Sequence, residues 1–150
     1  MSETIPPPLA RYAPYRRAGD LVYLAGIVPV DTVAKRTIRG YEDIPEEARE
    51  LLGATGELSV DSKDGPIAAQ SWFVLEQLKR TLEELGGTMD DVVNLTQYFV
   101  DLRDFPVYNR VRALYFPNPP ASTVVRVREL LPTPATLLEV QAVAHIPQDR

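Results

Sequence analysis

Ala121-Ser122-Thr123-Val124-Val125-Arg126-Val127-Arg128 and, further on, Leu138-Glu139-Val140-Gln141-Ala142 decide how this chain is read. Both are runs of aliphatic and β-branched residues of strand length, and they predict strands over Val124–Leu130 and Leu137–Ile146. A single carboxylate, Glu139, stands among the aliphatics of the second run. A carboxylate in apolar surroundings is costly unless it is paired, hydrogen-bonded or protonated. Glu139 is therefore a candidate general base or acid. The alternative is an outward strand residue, or one paired to a neighbour such as Arg126. Alternation groups Glu139 with Leu137, Gln141, Val143 and His145, a mixed face that leaves both readings open.

Upstream of these runs, the clearest signal is Pro66–Leu85. Leu75, Leu78, Leu82 and Leu85 recur at three-and-four spacing, and Gly86-Gly87 ends the run, as in an amphipathic helix. Val92–Leu102 reads as a strand apolar enough to be covered on both faces, and Asp104–Phe116 as a second helix. Pro117-Asn118-Pro119-Pro120 stops that helix. Toward the N-terminus, Arg16-Arg17-Ala18-Gly19-Asp20 reads as a turn between strands Tyr12–Arg16 and Leu21–Ile27. Residues 1–14 read as a proline-rich extended arm. Asp31–Arg39 suggests a further strand and Ser59–Lys63 an extended piece. Pro45–Gly53, with early proline, leading acids and terminal glycine, suggests a short helix.

Strands, then helix, strand, helix and two strands, predict a single α+β domain with a six-stranded mixed sheet and both helices on one face. Two helices leave the other face bare. If that face is as apolar as Val93, Leu95, Phe99, Val125 and Val127 suggest, another copy of the chain must cover it.

Composition removes several functions. The net charge of −5 disfavours a nucleic acid or an anionic membrane as partner, since both need a basic face. The chain has no cysteine and one histidine, His145, which leaves little room for thiol chemistry, histidine metal sites or a Ser–His relay. No signal peptide and no membrane-length apolar run is visible, so a cytoplasmic protein is expected.

The order and spacing of short motifs carry a family resemblance. They run from Ala18-Gly19-Asp20-Leu21-Val22-Tyr23-Leu24-Ala25-Gly26 through Leu85-Gly86-Gly87, Asp91-Val92-Val93 and Thr96–Phe105. They continue with Asn109, Tyr115-Phe116, Pro120-Ala121 and Leu131-Pro132, and end with Leu138–Ala144. Together these resemble the RidA/YjgF family of imine deaminases. The resemblance implies a chorismate-mutase-like fold, a homotrimer around a central barrel, and sites in clefts between subunits. It further implies hydrolysis of reactive enamines or imines, such as 2-aminoacrylate, to a keto acid and ammonia, without a cofactor. The alternative within the same family is a non-catalytic trimer that binds or senses a small molecule.

The resemblance maps the family's water-activating glutamate to Glu139, its site tyrosine to Tyr15 and its helix asparagine to Asn109. Val124 stands where the family uses backbone. The family's carboxylate-binding arginine, which follows a Pro-Ala pair, is Ser122 here, and a hydroxyl cannot supply a bidentate cationic clamp. Arg126 and Arg128 share a strand face with Ser122 by period two, and Arg126 is the nearer replacement. At about 13 Å along the strand it is a long reach, and a solvated or intersubunit ion pair is the plainer reading. Ala25 and Ile27 stand where many relatives carry serine and glutamine. The enlarged connection Asp31–Asp64 is a candidate lid or extra edge.

Overall fold

The computed structural model describes residues 5–150. Its main sheet has five strands in the order β1-β2-β7-β5-β6, comprising β1 (Tyr15–Ala18), β2 (Leu21–Leu24), β5 (Val92–Phe99), β6 (Ala121–Arg126) and β7 (Leu138–His145). Only β5 and β6 run parallel; the other pairings are antiparallel. The expected sixth strand is instead a separate two-stranded ribbon, β3 (Val30–Asp31) with β4 (Arg36–Thr37). Asp31 Oδ1 closes its turn by accepting the Val33 and Ala34 N–H groups at 3.0 Å.

Among the described residues, three α-helices accompany the sheet: α1 (Glu46–Leu52), α2 (Leu58–Glu84) and α3 (Phe105–Tyr115). α2 begins well before the expected Pro66, so Ser59–Lys63 is helical rather than extended. Pro66 lies inside the helix, where its missing N–H costs one backbone bond. Asp61 holds the preceding turns by accepting Thr55 N–H, Thr55 hydroxyl and Gly56 N–H at 2.7–3.0 Å.

The core lies between the sheet and α2 and α3. Leu75, Leu78 and Leu82 of α2 are fully buried against Val22, Leu95, Phe99, Leu138 and Val140 of the sheet. Each such side chain contributes roughly 1.5–3 kcal/mol when removed from water. Phe99 packs edge-on to Tyr108 of α3, their ring centres 5.2 Å apart. A smaller cluster of Ile38, Ile44, Ala48 and Ala69 attaches the 31–64 connection to α2. Gln70 ties this connection to the loop before β7. Its Nε2 donates to the Ile38 and Ala135 carbonyls at 2.9 and 2.7 Å, and its Oε1 accepts Leu137 N–H at 2.9 Å.

Several strand limits differ from expectation, for local reasons. The N-terminal hairpin is tighter: β1 starts at Tyr15, and Gly19, at φ 60°, makes the turn that returns the chain into β2. β2 ends at Leu24, with only Ile27 bridging back to Val140. β5 ends at Phe99 and is not covered on both faces: Leu95, Gln97 and Phe99 are buried under the helices, while Asn94, Thr96 and Tyr98 face away. A bulge between Val92 and Asn94 makes Val93 the extra residue and sets this phase. β6 is Ala121–Arg126 rather than Val124–Leu130, because its pairing with β5 begins directly after Pro120.

The open face is therefore more polar than predicted. Leu95 and Phe99 belong to the core, and Val127 lies beyond β6. What lies open includes Tyr23, Thr96, Tyr98, Gln141 and Val143, with Tyr98 hydroxyl 3.4 Å from Gln141 Oε1.

Candidate functional site

The sheet register separates the sequence-predicted residues. Ser122, Val124 and Arg126 pair with Leu95, Gln97 and Phe99, and so belong to the helix-covered face. Glu139 pairs with Tyr98 and belongs to the open face. Ser122 and Glu139 therefore do not meet within one chain. The predicted residues fall into two separate groups.

On the open face, the Glu139 side chain is half-buried and lies over Gly26. A methyl group at Gly26 would come within 2.9 Å of Glu139 Cδ and collide with Oε2. The bridge between Ile27 and Val140, N–H to carbonyl at 2.7 and 3.0 Å, brings the two segments this close. Burial raises the Glu139 pKa above the ordinary carboxylate value. Among the described residues, no hydrogen-bond donor or cation contacts its carboxylate. The predicted pairing with Arg126 does not form: Arg126 Nε donates to the Val100 carbonyl at 3.1 Å.

Tyr15 lies nearby but is turned toward the helix side, packed on the core beside its register partner Leu24. It lines a cavity of about 790 Å³ between residues 5–14, the end of β2 and α2. Gly26 and Val30–Val33 also line this cavity, so part of the enlarged connection reaches it.

The other group lies where α3 meets edge strand β6. Asn109 and Ser122 come together there through a residue not predicted from sequence, Arg112. The Arg112 Nη2 donates to Asn109 Oδ1 at 2.7 Å. Its Nη1 donates to Ser122 Oγ at 3.1 Å and to Gln97 Oε1 at 2.7 Å. The guanidinium carbon lies 5.4 Å from the Phe105 ring centre and 5.5 Å from that of Tyr108, within cation–π range. Gln97, fully buried, completes the arrangement: its Oε1 also accepts from Tyr108 hydroxyl at 2.8 Å, and its Nε2 donates to Ser122 Oγ and the Thr123 carbonyl at 3.0 and 2.9 Å. Burial raises the Tyr108 pKa strongly, so its hydroxyl stays protonated and donating. Val124 is half-buried against the core, opposite Gln97.

The cation near Ser122 thus comes from α3 and not from Arg126 along the strand. One signal was available. Asn109 and Arg112 stand three apart on a helix, so they share one helical surface.

Among the described residues, no group of three His, Asp or Glu side chains is placed to ligate a metal. Among the same described residues, no helix is long and apolar enough to cross a membrane.

This α+β sheet with its helices stacked on one face is the fold of the RidA/YjgF proteins, and the chain belongs to that family: the family model described as Endoribonuclease L-PSP matches residues 2–146. It is similar to 3-aminoacrylate deaminase RutC of Acinetobacter baylyi, at 33% identity over 97% of this chain and 95% of that protein. A solved structure from Klebsiella pneumoniae is 54% identical and superimposes with a TM-score of 0.87, over 91% of this chain and 100% of its own. RidA from an Antarctic Psychrobacter shares the fold at 23% identity, with a TM-score of 0.73 over 97% of each chain.

Proposed function

We propose that the chain hydrolyses a reactive enamine or imine to a carbonyl compound and ammonia, in a cleft assembled between copies of itself, most simply a homotrimer. At family level a deaminase-like role follows from the likeness to RutC. The observation that carries the finer reading is Glu139: a half-buried carboxylate over a glycine, with no partner among the described residues and a raised pKa. Such a group is a stronger proton acceptor than an ordinary exposed carboxylate.

In the reaction, Glu139 takes a proton from water as its oxygen attacks the C=N carbon. The tetrahedral adduct then keeps both oxygen and nitrogen on one carbon. Glu139 returns that proton to the nitrogen, then takes the adduct's hydroxyl proton and passes it to the same nitrogen as the C–N bond breaks, so that the C=O bond forms and ammonia leaves. Water and imine are consumed in equal amounts, and no redox step is needed.

Because Ser122 and Glu139 occupy opposite sheet faces, one chain supplies the proton acceptor and a second chain the Asn109–Arg112–Ser122 cluster. RNA cleavage, which the family description names, has less support. The net charge of −5 works against a polyanion, and the sole histidine, His145, is an exposed residue at the end of β7.

The test is release of keto acid and ammonia from imines made in situ by an amino-acid oxidase, with several side chains and with Glu139→Ala as control. Release faster than the spontaneous rate, lost in the variant, supports the reading. No acceleration on any imine from folded, assembled protein would leave a binding role without catalysis.

A further inference from the structure

We infer that Arg112, with Ser122 and Asn109, forms a carboxylate-binding anchor, so that the ligand of this half-site is a small organic acid. This deepens the proposed function by naming the substrate class, and it rests on that reading only for where the reacting carbon lies.

The cluster satisfies its own acceptors and leaves donors over. A guanidinium carries five N–H groups. Three are used, by Gln97 Oε1, Ser122 Oγ and Asn109 Oδ1, which leaves Nε–H and one Nη2–H. Ser122 Oγ accepts from both Arg112 and Gln97, so its own O–H remains to give. The oxygen of the Asn109 amide is occupied by Arg112, leaving its NH2 group. Apart from one lone pair on Asn109 Oδ1, the polar groups these side chains still have available are therefore donors.

The charge is likewise uncompensated. Among the described residues, all three partners of Arg112 are neutral, and no carboxylate lies within ion-pair distance of it. A half-buried cation is normally neutralised by an acid; here two aromatic rings and three neutral oxygens hold it in place instead. A fixed guanidinium with free N–H groups and neighbouring neutral donors suits a planar monoanion, whose two oxygens accept in parallel. A phosphate dianion would call for a second cation, and none contacts the cluster among the described residues.

The experiment uses the assembled protein and two probes of similar shape, pyruvate and its uncharged amide, pyruvamide. Binding is followed through the Arg112 Nε–H resonance and by calorimetry. The wild type is expected to bind pyruvate at least tenfold more tightly than pyruvamide, with a shift of that resonance. Arg112→Gln is expected to lose the preference, and Ser122→Arg added to Arg112→Gln to restore it, a rescue that a purely structural role for Arg112 would not give. Equal affinity for the two probes in the wild type, or a preference surviving in Arg112→Gln, overturns the assignment. Should Arg112→Gln not fold, the wild-type resonance decides: no shift at pyruvate saturation overturns it. Turnover is not among these readouts. Carboxylate preference without imine hydrolysis would sink the deaminase reading and leave the anchor, and hydrolysis without the preference would do the reverse.

Discussion

The Glu139 carboxylate occupies the space that a side chain at Gly26 would fill. A methyl group there would lie within 2.9 Å of Glu139 Cδ. The colliding atoms are the far end of a flexible side chain, so a larger residue at position 26 displaces the carboxylate more readily than it disturbs the sheet.

Gly26→Ala should therefore separate activity from stability. Imine hydrolysis is expected to fall at least roughly tenfold, since proton transfer depends on hydrogen-bond reach, while Tm changes by only a few degrees. Steady-state rates and a thermal melt on the same sample check this. A fully active variant would mean that the position of the carboxylate does not matter.

Glu139→Gln should lower turnover by about 10²–10⁴-fold, with the acid limb of the wild-type pH–rate profile lying above the ordinary carboxylate range. Stability should move the opposite way. The folded chain holds the Glu139 proton at pH values where the unfolded chain has released it. Its contribution to stability thus falls as pH rises from the ordinary carboxylate value through the raised one, and stays low above that window. The variant has no such proton, so its Tm should exceed the wild type's above the window, with the gap narrowing below it. Melts across pH 3 to 8, roughly spanning the window, provide the comparison; a constant gap would count against a shifted pKa.

If the two half-sites meet only between chains, inactive variants should complement one another. Glu139→Gln and Arg112→Gln chains, unfolded together and refolded as a mixture, would form some clefts with both residues intact. Random pairing of equal amounts predicts recovery of about a quarter of the wild-type sites. Recovery no greater than the sum of the separate preparations would show that each chain works alone.

Gln70→Leu probes the support for the enlarged connection. It strips partners from the Ile38 and Ala135 carbonyls and the Leu137 N–H. Each backbone group left buried and unpaired costs about 1–3 kcal/mol. A Tm lower by at least roughly 5 °C is expected at this chain length. An unchanged melt would mean that water or a shifted backbone replaces the amide.

The elements legible in the sequence were those whose apolar spacing repeats over several turns or alternates along a strand. Leu75, Leu78 and Leu82 marked α2, and the aliphatic run around Glu139 marked β7. The start of α2 was hidden because Ser59–Lys63 has no apolar stripe and Pro66 imitates a helix start. The face assignment of β5 was hidden by the bulge at Val93, since one extra residue reverses which side chains point inward. Glu139 and Ser122 could be singled out from sequence position, but their separation onto opposite faces depends on strand pairing. Arg112 was the largest omission. An arginine on a helix surface carries no signal beyond its spacing from Asn109, and its role depends on Gln97 and Ser122, which reach it from neighbouring strands.

Gln97 carries a consequence for how the chain's chemistry could be retuned. Its amide differs from a carboxylate by one terminal group, yet the amide lets it donate to Ser122 and accept from Arg112 at once. A glutamate in its place would lose the first contact and turn the second into an internal ion pair, spending the guanidinium's charge inside the protein. Whether this surface is electrically inviting or silent is thus decided by a residue sealed in the core, out of reach of any ligand it governs.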